Sequence, residues 1–264
     1  MNLKTYKAVL TGATGGIGEA IAHQLAPHCE QLILLGRDKA KLEALQKTLS
    51  HIAPNVHILA GDITDAQVHE ELKLLTQSIG GINLLINNAG TSLFKNFTQQ
   101  SKEEMKDLLN INLIAPILLT KALIPSMLHQ EKAQIINIGS IFGYLGFPGF
   151  TSYCASKFGL RGFSQSLRRE LSDTPVAVRY FAPRATRTSI NTDAVTQMNQ
   201  ELKTVSDTTE FVASELMKFL KTDAFEKKLG AKESFFVFMN QLFPAIPDKA
   251  ILGQLPIIKK YLNK

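Results

Sequence analysis

Tyr6-Lys7-Ala8-Val9-Leu10-Thr11, running straight into Gly12-Ala13-Thr14-Gly15-Gly16-Ile17-Gly18, is the stretch on which the fold turns. The first six residues are a short β-prone run. The next seven hold four glycines, and beyond them Ile21 and Leu25 follow at helical spacing with small alanines between. Strand, glycine turn and helix in that order build a diphosphate site, because a helix N-terminus offers free backbone N–H groups to an anion. Each glycine has a task in such a turn: Gly12 makes the tight bend, Gly16 lets a ligand approach the backbone, and Gly18 lets helix pack closely on strand. A plain glycine-rich turn is the competing reading. The spacing Gly-x-x-x-Gly-x-Gly is also wider than the general Gly-x-Gly-x-x-Gly fingerprint.

Outward from this unit, short β-branched or leucine runs alternate with longer helical patterns, as a doubly wound parallel sheet requires. The pattern predicts seven strands, near residues 6–11, 31–35, 55–60, 83–86, 133–138, 175–181 and 225–229. Helices are expected around 16–26, 39–50, 65–79, 102–129, 151–172 and 207–221. Ser101 with Glu104, and Asp207 with Glu210, give capping-type starts to the fourth and the last of these. No repeat, low-complexity tract or linker divides the 264 residues, 45% of them hydrophobic, so one α/β domain over 1–264 is expected.

Composition narrows the class further. No uninterrupted apolar stretch reaches the roughly twenty residues that cross a bilayer. The chain opens into a strand without a charged-then-apolar leader, so a cytoplasmic protein is expected. Cys29 and Cys154 are the only cysteines, too few for a disulfide framework, and no Cys/His cluster has metal-ligand spacing. The net charge of +6 is dispersed, with no basic run interleaved with aromatics, which argues against nucleic-acid binding.

The run Tyr153-Cys154-Ala155-Ser156-Lys157 carries the chemistry. Four residues apart on a helix, a phenol and an ammonium share one face about one turn apart. A positive charge about 4 Å away, at an effective dielectric of about 20, favours the phenolate by roughly 4 kcal/mol, a fall of about three units. A phenol brought toward neutrality is a general acid/base. Alone, the pair would be two ordinary surface residues; its place in an ordered set is what gives it weight. Cys154 beside it reads as a half-buried small residue.

The rest of that set is Asn87-Asn88-Ala89-Gly90 after the fourth strand, Asn112 on the long helix, and Ser140 thirteen residues before Tyr153. From Thr11 to Thr188 the chain resembles the short-chain dehydrogenase/reductase family, in its NADP-preferring type. The resemblance implies a single-domain Rossmann-type fold and an NAD(P)-dependent oxidoreductase that interconverts a carbonyl and an alcohol. It implies a catalytic set of Asn112, Ser140, Tyr153 and Lys157. Tyr153 would pass the proton to or from the substrate oxygen, and Ser140 would hold that oxygen. Lys157 would depress the tyrosine pKa and bind ribose hydroxyls, and Asn112 would anchor a water that relays protons to the lysine. The implied cofactor set is Gly12, Thr14, Gly15, Gly16, Ile17, Gly18, Arg37, Asp62, Ile63, Asn88, Ala89, Gly90, Tyr153, Lys157, Pro183, Thr186 and Thr188.

Within that set, Asp62 and Ile63 resemble the adenine-contacting pair, although Asp62, Thr64 or Asp65 would each serve equally as a helix cap. Gly90 suits a backbone passing close to the nicotinamide ribose, while the asparagines can tie strands together. The second strand ends Leu35-Gly36-Arg37, with Gly36 where NAD-preferring relatives place an acid and Arg37 offering a donor fork to a 2′-phosphate. NADP(H) is therefore favoured and NAD(H) is the alternative, since Asp38 lies one position on and Gly15 stands where NADP-preferring relatives often carry a basic residue.

The chain departs from the family pattern at Pro183-Arg184-Ala185-Thr186-Arg187-Thr188, where relatives show Pro-Gly-x-Val-x-Thr. A left-handed backbone at Arg184 would cost about 1 kcal/mol or more. Arg184 and Arg187 would meet an anionic group or stand in solvent. Loops 91–100 and 141–150 and a mobile lid over 184–205 are expected to line the substrate pocket. Their Phe94, Phe97, Phe142, Tyr144, Phe147 and Phe150 suit an apolar, bulky substrate, or else pack on one another or on a second subunit. The extension 225–264 carries Phe235-Phe236-Val237-Phe238 and Ile257-Ile258-Lys259-Lys260, and reads as a pocket cover, a subunit interface or a membrane-surface contact. A homodimer or homotetramer through 102–129 and 151–172 follows from the resemblance. The competing function is an NADP(H)-binding sensor without turnover, against which the presence of Ser140, Tyr153 and Lys157 together counts.

Overall fold

The computed structural model describes residues 5–53 and 55–262. Strand β1 (Tyr6–Thr11) leads into helix α1 (Gly16–Leu25), and β2 (Cys29–Gly36), α2 (Lys39–Leu49), β3 (Val56–Ala60) and α3 (Ala66–Ser78) complete the first half. The second half holds β4 (Leu84–Asn87), α4 (Lys102–Leu109), α5 (Ala115–Met127), β5 (Ala133–Ile138), α6 (Thr151–Glu170) and β6 (Val176–Ala182). It closes with α7 (Asp193–Glu201), α8 (Thr209–Leu220), β7 (Glu226–Lys228), α9 (Ala231–Leu242) and α10 (Ala245–Leu262). The seven strands form one sheet in the order β3-β2-β1-β4-β5-β6-β7, every pair parallel. The chain reverses direction across the sheet between β1 and β4, which opens a crevice at the strands' carboxyl ends.

Alternation along the strands sends side chains to two cores. Ala8, Leu10, Leu32 and Leu34 pack with Ile21 and Leu25 of α1 and Leu216 and Phe219 of α8. Val9, Ile33, Leu35 and Ile135 meet Leu72 of α3 and Leu119, Leu123 and Met127 of α5 on the other face. Gly18 is what lets α1 lie so close, because a Cβ there would overlap the Gly12 carbonyl.

Three departures from the sequence reading have physical causes. The helix expected over 102–129 is two helices joined by a π-turn at Asn110–Ile114, the kind of irregularity that marks functional sites. Taken as one stretch, Lys102–Met127 is long and apolar enough by composition to cross a membrane, but its inner side lies in the core beneath the sheet. Helix α8 is capped not by Asp207 but by Thr208, whose side chain accepts from the Phe211 N–H; Asp207 is held elsewhere. Helix α7, inside the segment 184–205 expected as a mobile lid, and helices α9 and α10 of the C-terminal extension are not among the helices the pattern predicts. Ile258 and Tyr261 of α10 join Phe150, Cys154 and Met198 in one apolar cluster, while Phe235, Phe238, Leu242, Phe243 and Leu252 stay exposed on the outside.

Candidate active site

A cavity of about 860 Å³ runs along the carboxyl ends of the strands, from the β1–α1 turn to the aromatic residues after β5. At one end stands the glycine turn. Gly12 has φ 63, a left-handed backbone that favours glycine, and a Cβ there would strike the Ala89 backbone. Gly16 packs against the methyl groups of Thr188 and Thr209, and Thr14 lies against Gly36. Among the described residues no side chain caps the N-terminus of α1, so its N–H groups face the cavity.

Thr11 fastens this turn to the β4 loop. Its hydroxyl accepts the N–H groups of Asn88 and Ala89, each at 3.0 Å, and the Asn88 amide donates back to the carbonyls of Thr11 and Gly12 at 3.0 and 3.1 Å. Asn87 reaches the other way, donating to Asn137 at 2.8 Å and Thr120 at 3.1 Å, so the asparagine run does tie strands and helix together. Gly90 leaves just enough room for Asn112 and Lys157, whose polar atoms would crowd a Cβ at 3.3 and 3.7 Å. Asn112 is buried in the π-turn. Its amide oxygen accepts from the Thr91 N–H at 2.8 Å, and its nitrogen donates to the Thr91 carbonyl and the Ser156 hydroxyl at 2.9 and 3.2 Å. Both amide hydrogens are thereby used, so the side chain itself braces the loop after β4.

At the adenosine end Arg37 is exposed and lines the cavity with Lys41, Asp62 and Ile63. The Asp38 carboxylate is taken up as the cap of α2, accepting from the Lys41 N–H at 3.1 Å. Asp65 caps α3, and Asp62 accepts from the Thr64 hydroxyl and N–H at 2.7 and 2.8 Å. Those bonds, with the Arg37 charge adding to them, hold the Asp62 carboxyl below its ordinary value. These residues fit a nicotinamide dinucleotide: a left-handed glycine cradle and an open helix N-terminus for its diphosphate, with Arg37 at the far end.

At the other end Ser140, Tyr153 and Lys157 converge. Burial pushes the Tyr153 phenol up to about 12, opposed by its hydrogen bond with the Ser140 hydroxyl, and pushes the Lys157 ammonium down to about 8. Burial thus opposes the expected fall of the phenol toward neutrality. The ammonium stands 5.8 Å from the phenol ring centroid and donates to the Ile138 carbonyl at 3.1 Å. Although the ring keeps some surface toward the cavity, both groups have lost water, and that loss outweighs an attraction that weakens with distance.

The aromatic expectation divides. Phe142, Phe147 and Phe150 line the cavity and pack on one another at centroid distances of 5.1 and 5.2 Å, and Phe94 backs Phe150 at 4.9 Å. Phe97 instead lies on the surface, and Tyr144 is buried with its hydroxyl on Glu226 at 2.8 Å. Ile190, Val195 and Met198 of the segment after β6 close the apolar wall.

Pro183, Thr186 and Thr188 also border the cavity. Arg184, in place of the family glycine, has no left-handed backbone, since Lys203 is the one such non-glycine among the described residues. Its guanidinium holds Asp207 at 2.8 and 3.0 Å and Glu233 at 3.3 Å, and the residue also borders the cavity. Sequence reasoning missed this bridge, and it missed Tyr180, whose bulk is matched by Gly139 and Gly143 around Ser140.

Known proteins share this geometry. Residues 6–199 match the family model for short chain dehydrogenases. The chain is 32% identical over 207 residues to the 3-oxoacyl-[acyl-carrier-protein] reductase FabG of Vibrio cholerae, covering 78% of this chain and 82% of that one. Among solved structures, a short-chain dehydrogenase from Sphingobium yanoikuyae in complex with NADPH superposes with TM-score 0.78 at 27% identity, over 91% of this chain and 95% of that one. The bulky-bulky ketone specific alcohol dehydrogenase from Comamonas testosteroni gives 0.76 at 25% identity, over 97% and 95%. The chain belongs to the short-chain dehydrogenase family, oxidoreductases that interconvert CH–OH and C=O groups with a nicotinamide cofactor.

Proposed function

We propose that this protein is an NADP(H)-dependent reductase of bulky, apolar carbonyl compounds, with Tyr153 as its acid. The observation that carries this reading is one continuous cavity, in which a glycine cradle and Arg37 lie at one end and Tyr153 with Ser140 stands against a phenylalanine wall at the other. When bound, the nicotinamide supplies the hydride to the carbonyl carbon. Ser140 donates a hydrogen bond to the carbonyl oxygen and polarises it. Tyr153 gives that oxygen its proton, and a phenol whose pKa is raised holds the proton throughout the neutral range. Lys157, charged below about pH 8, faces the same pocket and favours the tyrosinate left behind.

The NADP(H) preference is supported by Arg37 and Lys41 beside the cavity and by Gly36 at the end of β2, where an acid would recognise a 2′-hydroxyl. The Sphingobium relative, solved with NADPH, and the Comamonas relative, specific for bulky-bulky ketones, favour the same reading.

The test monitors NADPH oxidation against a panel of hydrophobic ketones and aldehydes, with NADH in parallel. Turnover with NADPH is expected to fall by about 10²–10⁴ in Tyr153→Phe, the usual weight of a positioned general acid. In Arg37→Ala the KM for NADPH is expected to rise about tenfold with that for NADH nearly unchanged. Tight NADPH binding without turnover on any carbonyl would overturn the reductase in favour of a sensor.

A further inference from the structure

Tyr180 occupies the inside of β6, fully buried, directly beneath the turn that carries Ser140. Its hydroxyl accepts from the Ser140 N–H at 3.4 Å and donates to the Lys157 carbonyl at 3.2 Å. One phenol thus joins the backbone of two residues that come from different elements and whose side chains both face Tyr153. The surrounding sequence is shaped to admit it: a Cβ at Gly139 or at Gly143 would overlap the Tyr180 ring or hydroxyl.

The ring is also braced from behind. Tyr144 lies edge-on to it with centroids 5.8 Å apart, and the Tyr144 hydroxyl is fixed on Glu226. Arg161 of α6 stacks over Tyr144 at 4.0 Å and pairs with Glu226 at 3.4 Å, while Lys228 holds the other oxygen of that carboxylate at 2.6 Å. The charged and titratable groups around Tyr180 are therefore Tyr153, Lys157 and Arg161 from α6, Glu226 and Lys228 from β7, and Tyr144 after β5. Such a ring has no room to swing.

Resting on the reductase reading above, we propose that Tyr180 is a positioning residue: its hydroxyl sets the distance between the Ser140 turn and the Lys157 turn of α6, and so aims Ser140 at the Tyr153 phenol. Removing the hydroxyl leaves the Ser140 N–H without its partner and lets that turn shift. The Tyr153–Ser140 hydrogen bond lowers the Tyr153 pKa, so loosening it moves that pKa upward.

The test is Tyr180→Phe, which keeps the ring and removes one oxygen, measured beside wild type. The expected result is a kcat about tenfold lower, the weight of one or two neutral hydrogen bonds. The KM for carbonyl and the Kd for NADPH should change less than about twofold, a split that a general loss of folding would not give. Gly143→Ala, whose Cβ would strike both the Tyr180 hydroxyl and the Lys157 carbonyl it bonds, is expected to lower kcat in the same direction. A Tyr180→Phe protein with wild-type kcat overturns the proposal. So do variants that fail to fold or lose NADPH binding, which would assign Tyr180 to the fold alone. Wild-type protein without turnover removes the reductase reading and this proposal together, whereas turnover in wild type beside an unaffected Tyr180→Phe removes the proposal only.

Discussion

Lys157 is a cation placed where water has been removed, and that placement sets a conflict between stability and chemistry. Its side chain is buried, its ammonium donates to one neutral carbonyl, and among the described residues no carboxylate pairs with it. Below pH 8 the folded protein carries this charge at a cost, because the ammonium is better solvated in the unfolded chain, where it titrates near its ordinary value of 10.5. As pH rises from about 8 to 10.5 the folded state releases its proton first, so the cost is relieved and stability rises across that window. Lys157→Met keeps the volume and removes the charge. It is expected to stabilise the cofactor-free protein by about 2 kcal/mol at pH 7, a few degrees in Tm, while abolishing turnover. Thermal melts of both proteins at pH 7 and pH 10 check this. The difference should shrink toward pH 10, and a variant that melts below wild type at pH 7 would show that the ammonium is stabilising where it stands.

At the scale of elements, Arg184 joins three parts of the chain: the segment after β6, the start of α8 and the first turn of α9. Asp207 is 7% exposed in its side chain, so deleting its guanidinium partner strands a carboxylate away from water. Arg184→Ala is expected to cost about 3 kcal/mol for that reason. The double variant Arg184→Ala/Asp207→Asn should recover much of the loss; urea melts with equal destabilisation in single and double variants would contradict the stranded-charge account. This bridge was also where the sequence was hardest to read. Asp207 has the look of a helix cap, but Thr208 beside it is equally competent, and only the distant Arg184 decides between them. The strands were legible because β-branched and leucine runs end at glycine, asparagine or proline, and β1 and β5 were bounded to the residue. Helices α7, α9 and α10 were not. Phe235-Phe236-Val237-Phe238 is apolar at four successive positions and shows no helical period, and Pro244, Pro247, Gly253 and Pro256 interrupt the remainder of the C-terminal segment. The glycine turn and the Tyr153–Lys157 pair came from local spacing and Ser140 from the family resemblance; Tyr180 is a tertiary neighbour that neither reports.

For the whole molecule, two exposed apolar faces are candidates for contact with another copy. One is formed by Ile114 and Leu118 at the π-turn and α5 with Phe158 of α6, each a little under half exposed. The other is the outer side of α9 and α10, with Phe235, Phe238, Leu242 and Phe243 more than half exposed. The first lies on the helices that carry Asn112, Tyr153 and Lys157, so pairing there would stiffen the walls of the site. The second is larger in side chains but is attached to the rest of the molecule chiefly through the cluster around Ile258 and Tyr261. We therefore expect the first to hold the dimer. A charge at the centre of an apolar interface is strongly disfavoured, so Leu118→Glu should convert wild-type dimer or tetramer into a smaller species. Mass measured by light scattering at micromolar concentration decides it. Wild-type protein running at the 29.1 kDa of one chain would exclude stable assembly through either face. An assembly that survives Leu118→Glu but disperses in Leu242→Glu would move the interface to the C-terminal helices, and the loss of kcat in one variant but not the other would show which contact supports the site.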